Sequence, residues 1–167
     1  MDLYRIRRAQ ILAQRLRNTR WQGIYNIGDL SYTTELKLAV VQDSYVSGEI
    51  IHSDSAEASG GYLHARVTGD IITQFQINEI FIDEDSLLAE ELAKLPLNTP
   101  TRSLIRIKRV RSLQFVNGNN NVWNQNREYR LTLQNNTLVG SVGIPNDIYG
   151  EGDATLENGS IVLTLVP

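Results

Sequence analysis

From Trp21 onward, apolar and polar residues alternate at period two. Trp21, Gly23, Tyr25 and Ile27 share one parity; Leu36, Leu38 and Val40 alternate with Glu35, Lys37 and Ala39; Val46, Gly48 and Ile50 alternate with Ser47, Glu49 and Ile51. This is the signature of strands with one dry and one wet face. The short separators Gly28-Asp29 and Gln42-Asp43-Ser44 predict antiparallel neighbours. Leu63, Ala65, Val67, Gly69, Ile71, Thr73, Phe75 and Ile77 then hold a single parity, which predicts either one long bent strand or a hairpin turning at Thr68-Gly69-Asp70. Further on, Ile105 and Ile107 oppose Arg106 and Lys108, and the parity slips near Arg109-Val110 as a bulge or turn requires. Tyr129, Leu131 and Leu133 alternate with Arg130 and Thr132; Asn135-Asn136 turns the chain, and Leu138, Gly140 and Val142 return it. At the C-terminus, Asn158-Gly159 predicts a type I′ hairpin joining Ala154 and Leu156 to Ile161, Leu163 and Leu165.

Two segments depart from period two. Leu3, Ile6, Ala9, Leu12, Ala13 and Leu16 fall on one helical face, with Asp2 as N-cap and Asn18-Thr19 as the end. Arg7, Arg8 and Arg15 occupy the opposite face with Tyr4 and Ile11. The segment from Asp85 to Leu95 predicts a second helix, capped by Asp83 or Asp85, stopped by Pro96, and burying Leu87, Leu88, Leu92 and Leu95. Its outer face carries Glu84, Glu90 and Glu91, a candidate contact for the basic leader helix.

The fold class expected is mainly β: an antiparallel up-and-down β-barrel of about eight to ten strands, with an N-terminal amphipathic helix and one mid-chain helix. A β-sandwich is the alternative. Residues 1–18 form the helix, packed on or beside the barrel, and residues 19–167 a single barrel domain.

The 167 residues, 41% of them hydrophobic, suffice for one real core. The absence of cysteine excludes disulfides, Cys-ligated zinc and a thiol nucleophile, and suits a reducing compartment. No apolar run has the length of a secretory signal or a membrane span, so a soluble, cytoplasmic protein is expected. Residues 1–20 hold six Arg and one Asp, whereas the remainder holds ten basic and eighteen acidic residues. A basic leader docked on its own acidic body is the plainest reading of that asymmetry.

Trp21-Gln22-Gly23-Ile24-Tyr25 opening the first strand, with Ser47-Gly48-Glu49-Ile50 after the second, resembles the opening of calycin-type barrels such as lipocalins and avidins. The pattern covers residues 21–77 at most. It departs from lipocalins in placing Trp21 before Gly23 and in the helix that interrupts the meander. The resemblance implies an architecture, a lumen and a first-strand Trp plugging one barrel end; it carries over no ligand residues.

Motifs for chemistry are sparse. His52 and His64, with Asp54 and Glu57 between them, form a conceivable rim site for a metal or for acid–base work, but their spacing matches no ligand pattern. Two exposed histidines flanking a loop are expected instead. There is no nucleophile elbow and no phosphate-binding glycine loop opening a helix, so no catalytic residue, metal or cofactor is assigned. Arg102, Arg106, Lys108, Arg109 and Arg111 could track phosphates, but interleaved aromatics for base stacking are missing. Neutralisation by acidic neighbours is expected, and nucleic acid is not an expected partner. Trp123 between Asn121 and Asn124 combines a stacking ring with directed amides, unless the ring covers the barrel mouth.

The function expected is non-enzymatic binding of a protein partner or assembly through Arg7, Arg8, Arg15 and the loop residues Asn121, Trp123 and Asn124. The alternative is a carrier or sensor for a small apolar ligand in a lumen lined by Leu36, Leu38, Val40, Val67, Ile71 and Phe75. An enzyme with a rim His site is the minor alternative.

Overall fold

A computed structural model describes residues 3–28, 30–53, 62–116, 127–143 and 159–167. The chain runs α1 (Leu3–Leu16), β1 (Thr19–Ile27), β2 (Leu30–Gln42), β3 (Tyr45–Ser53), β4 (Tyr62–Ile77), β5 (Ile80–Asp83), a 3-10 turn (Glu84–Ser86), α2 (Ala89–Lys94), β6 (Thr101–Val116), β7 (Glu128–Gln134), β8 (Thr137–Gly143) and β9 (Gly159–Leu165). Eight of the strands close into an antiparallel barrel in the order β3-β2-β1-β9-β8-β7-β6-β4, sealed by β3 pairing with β4. Each barrel strand neighbours the next barrel strand in sequence, which is the up-and-down arrangement. Closure rules out the sandwich and leaves these strands no open edge.

The tight turns rest on residues that tolerate positive φ. Asp43 (φ 55°) sits between β2 and β3, Asn135 (φ 57°) between β7 and β8, and Asn78 and Glu79 (φ 52° and 69°) between β4 and β5. The long strand is one element: β4 continues past Gly69 without turning. Its first part pairs with β3, and its end, Gln74–Ile77, pairs with the short β5. Inward-facing Gly23 and Gly69 let the strands coil closely, since a Cβ would overlap the carbonyl oxygen of Val162 at Gly23 and of Arg106 at Gly69.

Three expectations need correction. The alternation Leu36-Leu38-Val40 does not carry through: a bulge shifts the register between Leu38 and Val40, so Val40 is 43% exposed and Val41 takes the inward position. The predicted helix from Asp85 is two short pieces with no buried residue, and Leu88 is 67% exposed. Its would-be caps are occupied elsewhere, because Arg130 donates to Asp83 at 2.6 Å and Arg106 to Asp85 at 2.8 Å. Helix α2 starts instead at Leu88, whose backbone N–H donates to Glu91 Oε1 at 3.0 Å. Finally, β9 is not one arm of a terminal hairpin, since β1 and β8 take both of its edges. Ala154, Leu156 and the Asn158 turn lie outside the described residues, as does Asp2.

The register places the two barrel ends. One end collects the start of β1, the β2–β3 and β7–β8 turns, the start of β6 and the end of β9. Helix α1 lies over it, adding Ala13 and Leu16 to the core cluster that contains Trp21, Leu36, Leu38, Val41, Val46 and Ile71. Trp21 lies buried at this end and donates from Nε1 to Thr19 Oγ1 at 2.8 Å. Arg8 and Arg15 of α1, and Arg17 just after it, reach carbonyls and a hydroxyl. Arg8 donates to Thr101 Oγ1 at 2.9 Å, Arg15 to Asn135 O at 3.0 Å and Arg17 to Val41 O at 2.9 Å.

On the outside, β4, β5, β6 and β7 carry an ion-pair network. Arg106 grips Asp70 through two bonds of 3.1 and 3.0 Å and also reaches Asp85, while Arg130 bridges Asp83 and Glu128. Burial alone would raise the Asp83 carboxyl, but hydrogen bonds from Arg130 and Gln74 and the Arg130 and Arg106 charges outweigh it and hold the group below its ordinary range. This part of the second basic cluster is neutralised, as its sequence suggested. No helix among the described residues is long and apolar enough to cross a membrane.

Candidate functional site

The inward parity of the strands continues past the apolar residues into polar ones at the opposite barrel end. On β2, Thr34 follows the parity of Leu36; on β3, His52 follows Ile50; on β6, Arg109 follows Ile107; and Arg127 precedes the inward Tyr129 of β7 by two residues. All five side chains are buried, Arg127 at 1% and Arg109 at 8% exposure. Tyr25 and Tyr32, paired across β1 and β2, complete the group. The connections 54–61, 117–126 and 144–158 all leave from and return to this end. The barrel interior is therefore divided along its axis: apolar beneath α1, polar and cationic where the longer connections begin.

Hydrogen bonds define the centre of the group. Thr34 and His52 are direct partners in the β2–β3 register, and Thr34 Oγ1 lies 2.7 Å from His52 Nδ1. His52 Nε2 lies 2.8 Å from the Tyr129 hydroxyl. The neutral imidazole donates from one ring nitrogen and accepts at the other, so it joins the Thr34 hydroxyl and the Tyr129 phenol in one hydrogen-bonded chain. Tyr25 packs 5.0 Å from the His52 ring, and Tyr129 stacks on its other side at 5.8 Å. The Arg109 backbone N–H donates to Arg127 O at 3.3 Å, which sets these two residues side by side.

Electrostatics follow from enclosure. Burial, reinforced by the Arg109 charge, holds the His52 imidazole well below its ordinary value of 6.5. Burial pushes the Tyr129 phenol up to about 12 against the opposing Arg109 and Arg127 charges. Both rings are thus neutral at physiological pH, and the guanidiniums supply the charge. The unfolded chain takes up a proton at His52 below about pH 6.5, and the folded chain refuses it. Stability present above that pH is therefore lost as pH falls, by up to about 1.4 kcal/mol per pH unit from this group. Urea unfolding at pH 7.5 and 5.5 should show a steeper loss in the wild type than in His52→Gln; equal slopes would exclude the effect.

The expected residues are distributed as follows. Strands β3 and β4 do pair, but His52 faces Leu63 and His64 faces Ile51, so the two histidines sit on opposite faces of the wall. His52 is fully buried, a correction to the expectation of two exposed histidines; His64 lies outside the lumen, 3.5 Å from Glu49. Among the described residues no three His, Asp or Glu gather into a metal-binding cluster. Leu36, Leu38, Val67 and Ile71 face inward in the apolar half, and Phe75 is buried on the part of β4 that extends past β3, outside the main cluster. Arg8 and Arg15 reach the barrel mouth, and Arg7 is exposed. Asn121, Trp123, Asn124, Asp54 and Glu57 lie outside the described residues.

The fold and this chamber define the class: a closed eight-stranded meander barrel with a polar, cationic interior at one end. Compared with known proteins, the chain matches no protein-family model, and no curated protein is significantly similar to it in sequence.

Proposed function

We propose that this is a calycin-like binding barrel, cytoplasmic and non-enzymatic, that takes a small molecule with an anionic group and an apolar body. The observation that carries the reading is the burial of Arg109, Arg127, His52, Tyr129 and Tyr25 together at one end of the barrel interior. The forked donors of guanidiniums match carboxylate or sulfonate oxygens. The neutral phenols and imidazole add directed donors and acceptors without further charge. The apolar half, with Leu36, Leu38, Val67 and Ile71, suits the remainder of such a ligand.

Anilinonaphthalene sulfonate, an apolar ring system bearing one sulfonate, is a suitable probe. Saturable binding is expected, weakened roughly tenfold or more by Arg127→Gln or Arg109→Gln. Thermal unfolding of each variant checks that it is folded. Absence of saturation, or equal affinity in folded variants, would refute the proposal.

A protein partner engaged through α1 is the second reading. Exposed Arg7, Leu3 and Ile11 favour it. It has less support, because Arg8, Arg15 and Arg17 already hold the helix to its own barrel.

A further inference from the structure

A groove of about 340 Å3 runs between α1 and the neighbouring ends of β6 and β7, at the barrel end opposite the polar chamber. Arg8, Arg15, Arg102, Leu12, Leu133 and Gln134 are among its walls. The two helix arginines are seven positions apart, two turns along one face. Each guanidinium carries five N–H donors. Among the described residues, those of Arg8, Arg15 and Arg102 reach uncharged acceptors: Thr101 Oγ1 and O, Asn135 O, and Gln74 Oε1 at 2.7 Å.

The contrast with the adjacent arginines is what makes this informative. Arg106 and Arg130, on the same outer surface, are matched by Asp70, Asp83, Asp85 and Glu128. Asp83 is the carboxylate whose charge favours Arg102, yet its oxygens are taken by Arg130, Gln74 and Arg106. Burial and then repulsion from Arg130 lower the Arg102 pKa, so the guanidinium sits in a locally cationic setting. Beyond residue 20 the chain is acidic overall, but among the described residues no carboxylate lines this groove.

We infer that the groove binds a phosphomonoester group, held by Arg8, Arg15 and Arg102, with Leu12 and Leu133 against the alkyl part of the ester. A phosphate dianion offers three terminal oxygens to planar forked donors, which is the recognition guanidinium groups serve best. Gln134 adds an amide donor. The apolar wall distinguishes an alkyl ester from inorganic phosphate. The same chemistry arises on a soluble phosphate ester and on a lipid headgroup.

The test is an NMR titration of the arginine Nε–Hε resonances with inorganic phosphate and with hexyl phosphate, alongside co-sedimentation with phosphatidylcholine vesicles containing phosphatidic acid. Saturable shifts at Arg8 and Arg102 are expected, tighter for hexyl phosphate. Arg102→Gln and Arg15→Gln should each weaken hexyl phosphate binding roughly tenfold, whereas Lys108→Gln, an equal charge change on an exposed site of β6, should not. Amide spectra of the variants verify that α1 and the barrel remain intact. Binding of hexyl phosphate without sedimentation supports a soluble ester; binding together with sedimentation supports a lipid headgroup. No saturable shift with either phosphate, or a loss in Lys108→Gln as large as in Arg102→Gln, would overturn the assignment.

Discussion

Leu16→Ala should lower the stability of the barrel by about 2–5 kcal/mol, the range for truncating a fully buried Leu. Leu16 is wholly enclosed although it belongs to the helix and not to a strand, because α1 covers the apolar end of the lumen. Removing residues 1–17 should have a larger effect. It would uncover Trp21, Leu38 and Val41 and delete the bonds from Arg8, Arg15 and Arg17. Chemical unfolding followed by tryptophan fluorescence measures both. A truncated chain that unfolds with wild-type cooperativity and midpoint would show that the helix is only an appendage.

The second large effect lies in the polar chamber. His52→Leu removes the imidazole between Thr34 and Tyr129 and takes a hydrogen-bond partner from a buried phenol and from a buried hydroxyl. At about 1–3 kcal/mol for each buried group so affected, a loss of about 2–5 kcal/mol is expected. Adding Tyr129→Phe should restore part of it, since the phenol that lost its partner is then gone. The double variant should therefore be more stable than the sum of the single losses requires. Strict additivity in that cycle would mean that the two rings do not share the hydrogen bond.

Much of the fold was legible because period-two alternation encodes both strand and face. The parity slip at Arg109-Val110 is a bulge in β6, where the register shifts between Arg66 and Val67 on the partner strand. The bulge in β2 was invisible, since Val40 is as apolar as the residue that replaces it inside. The second helix misled for a related reason: leucine spacing suggests a buried stripe, but it does not reveal that Asp83 and Asp85 are drawn away to arginines distant in sequence. The pairing of β9 with β1 joins the first and last strands, and no local turn signal announces such a contact.

The chamber is nearly legible in the strand parity. Thr34, His52, Arg109, Arg127 and Tyr129 each lie two residues from an apolar residue or partner of inward parity. Treating polar residues near strand ends as solvent-facing concealed them, because parity fixes the face of the sheet whereas hydrophobicity only correlates with it. Their convergence required the register of separate strands. The groove arginines were visible as charges, but their uncharged acceptors were not.

The central claim is that a neutral His52 is locked inside the lumen between Thr34 and Tyr129. Long-range 1H–15N correlation of the imidazole nitrogens, followed from pH 8 to pH 5.5, tests it most directly. The structure predicts a neutral ring in a single tautomer that does not titrate over this interval, with cross-relaxation to Thr34 and Tyr129. A ring that protonates with a midpoint near 6.5 and shows neither contact would contradict the chamber and the binding function built on it.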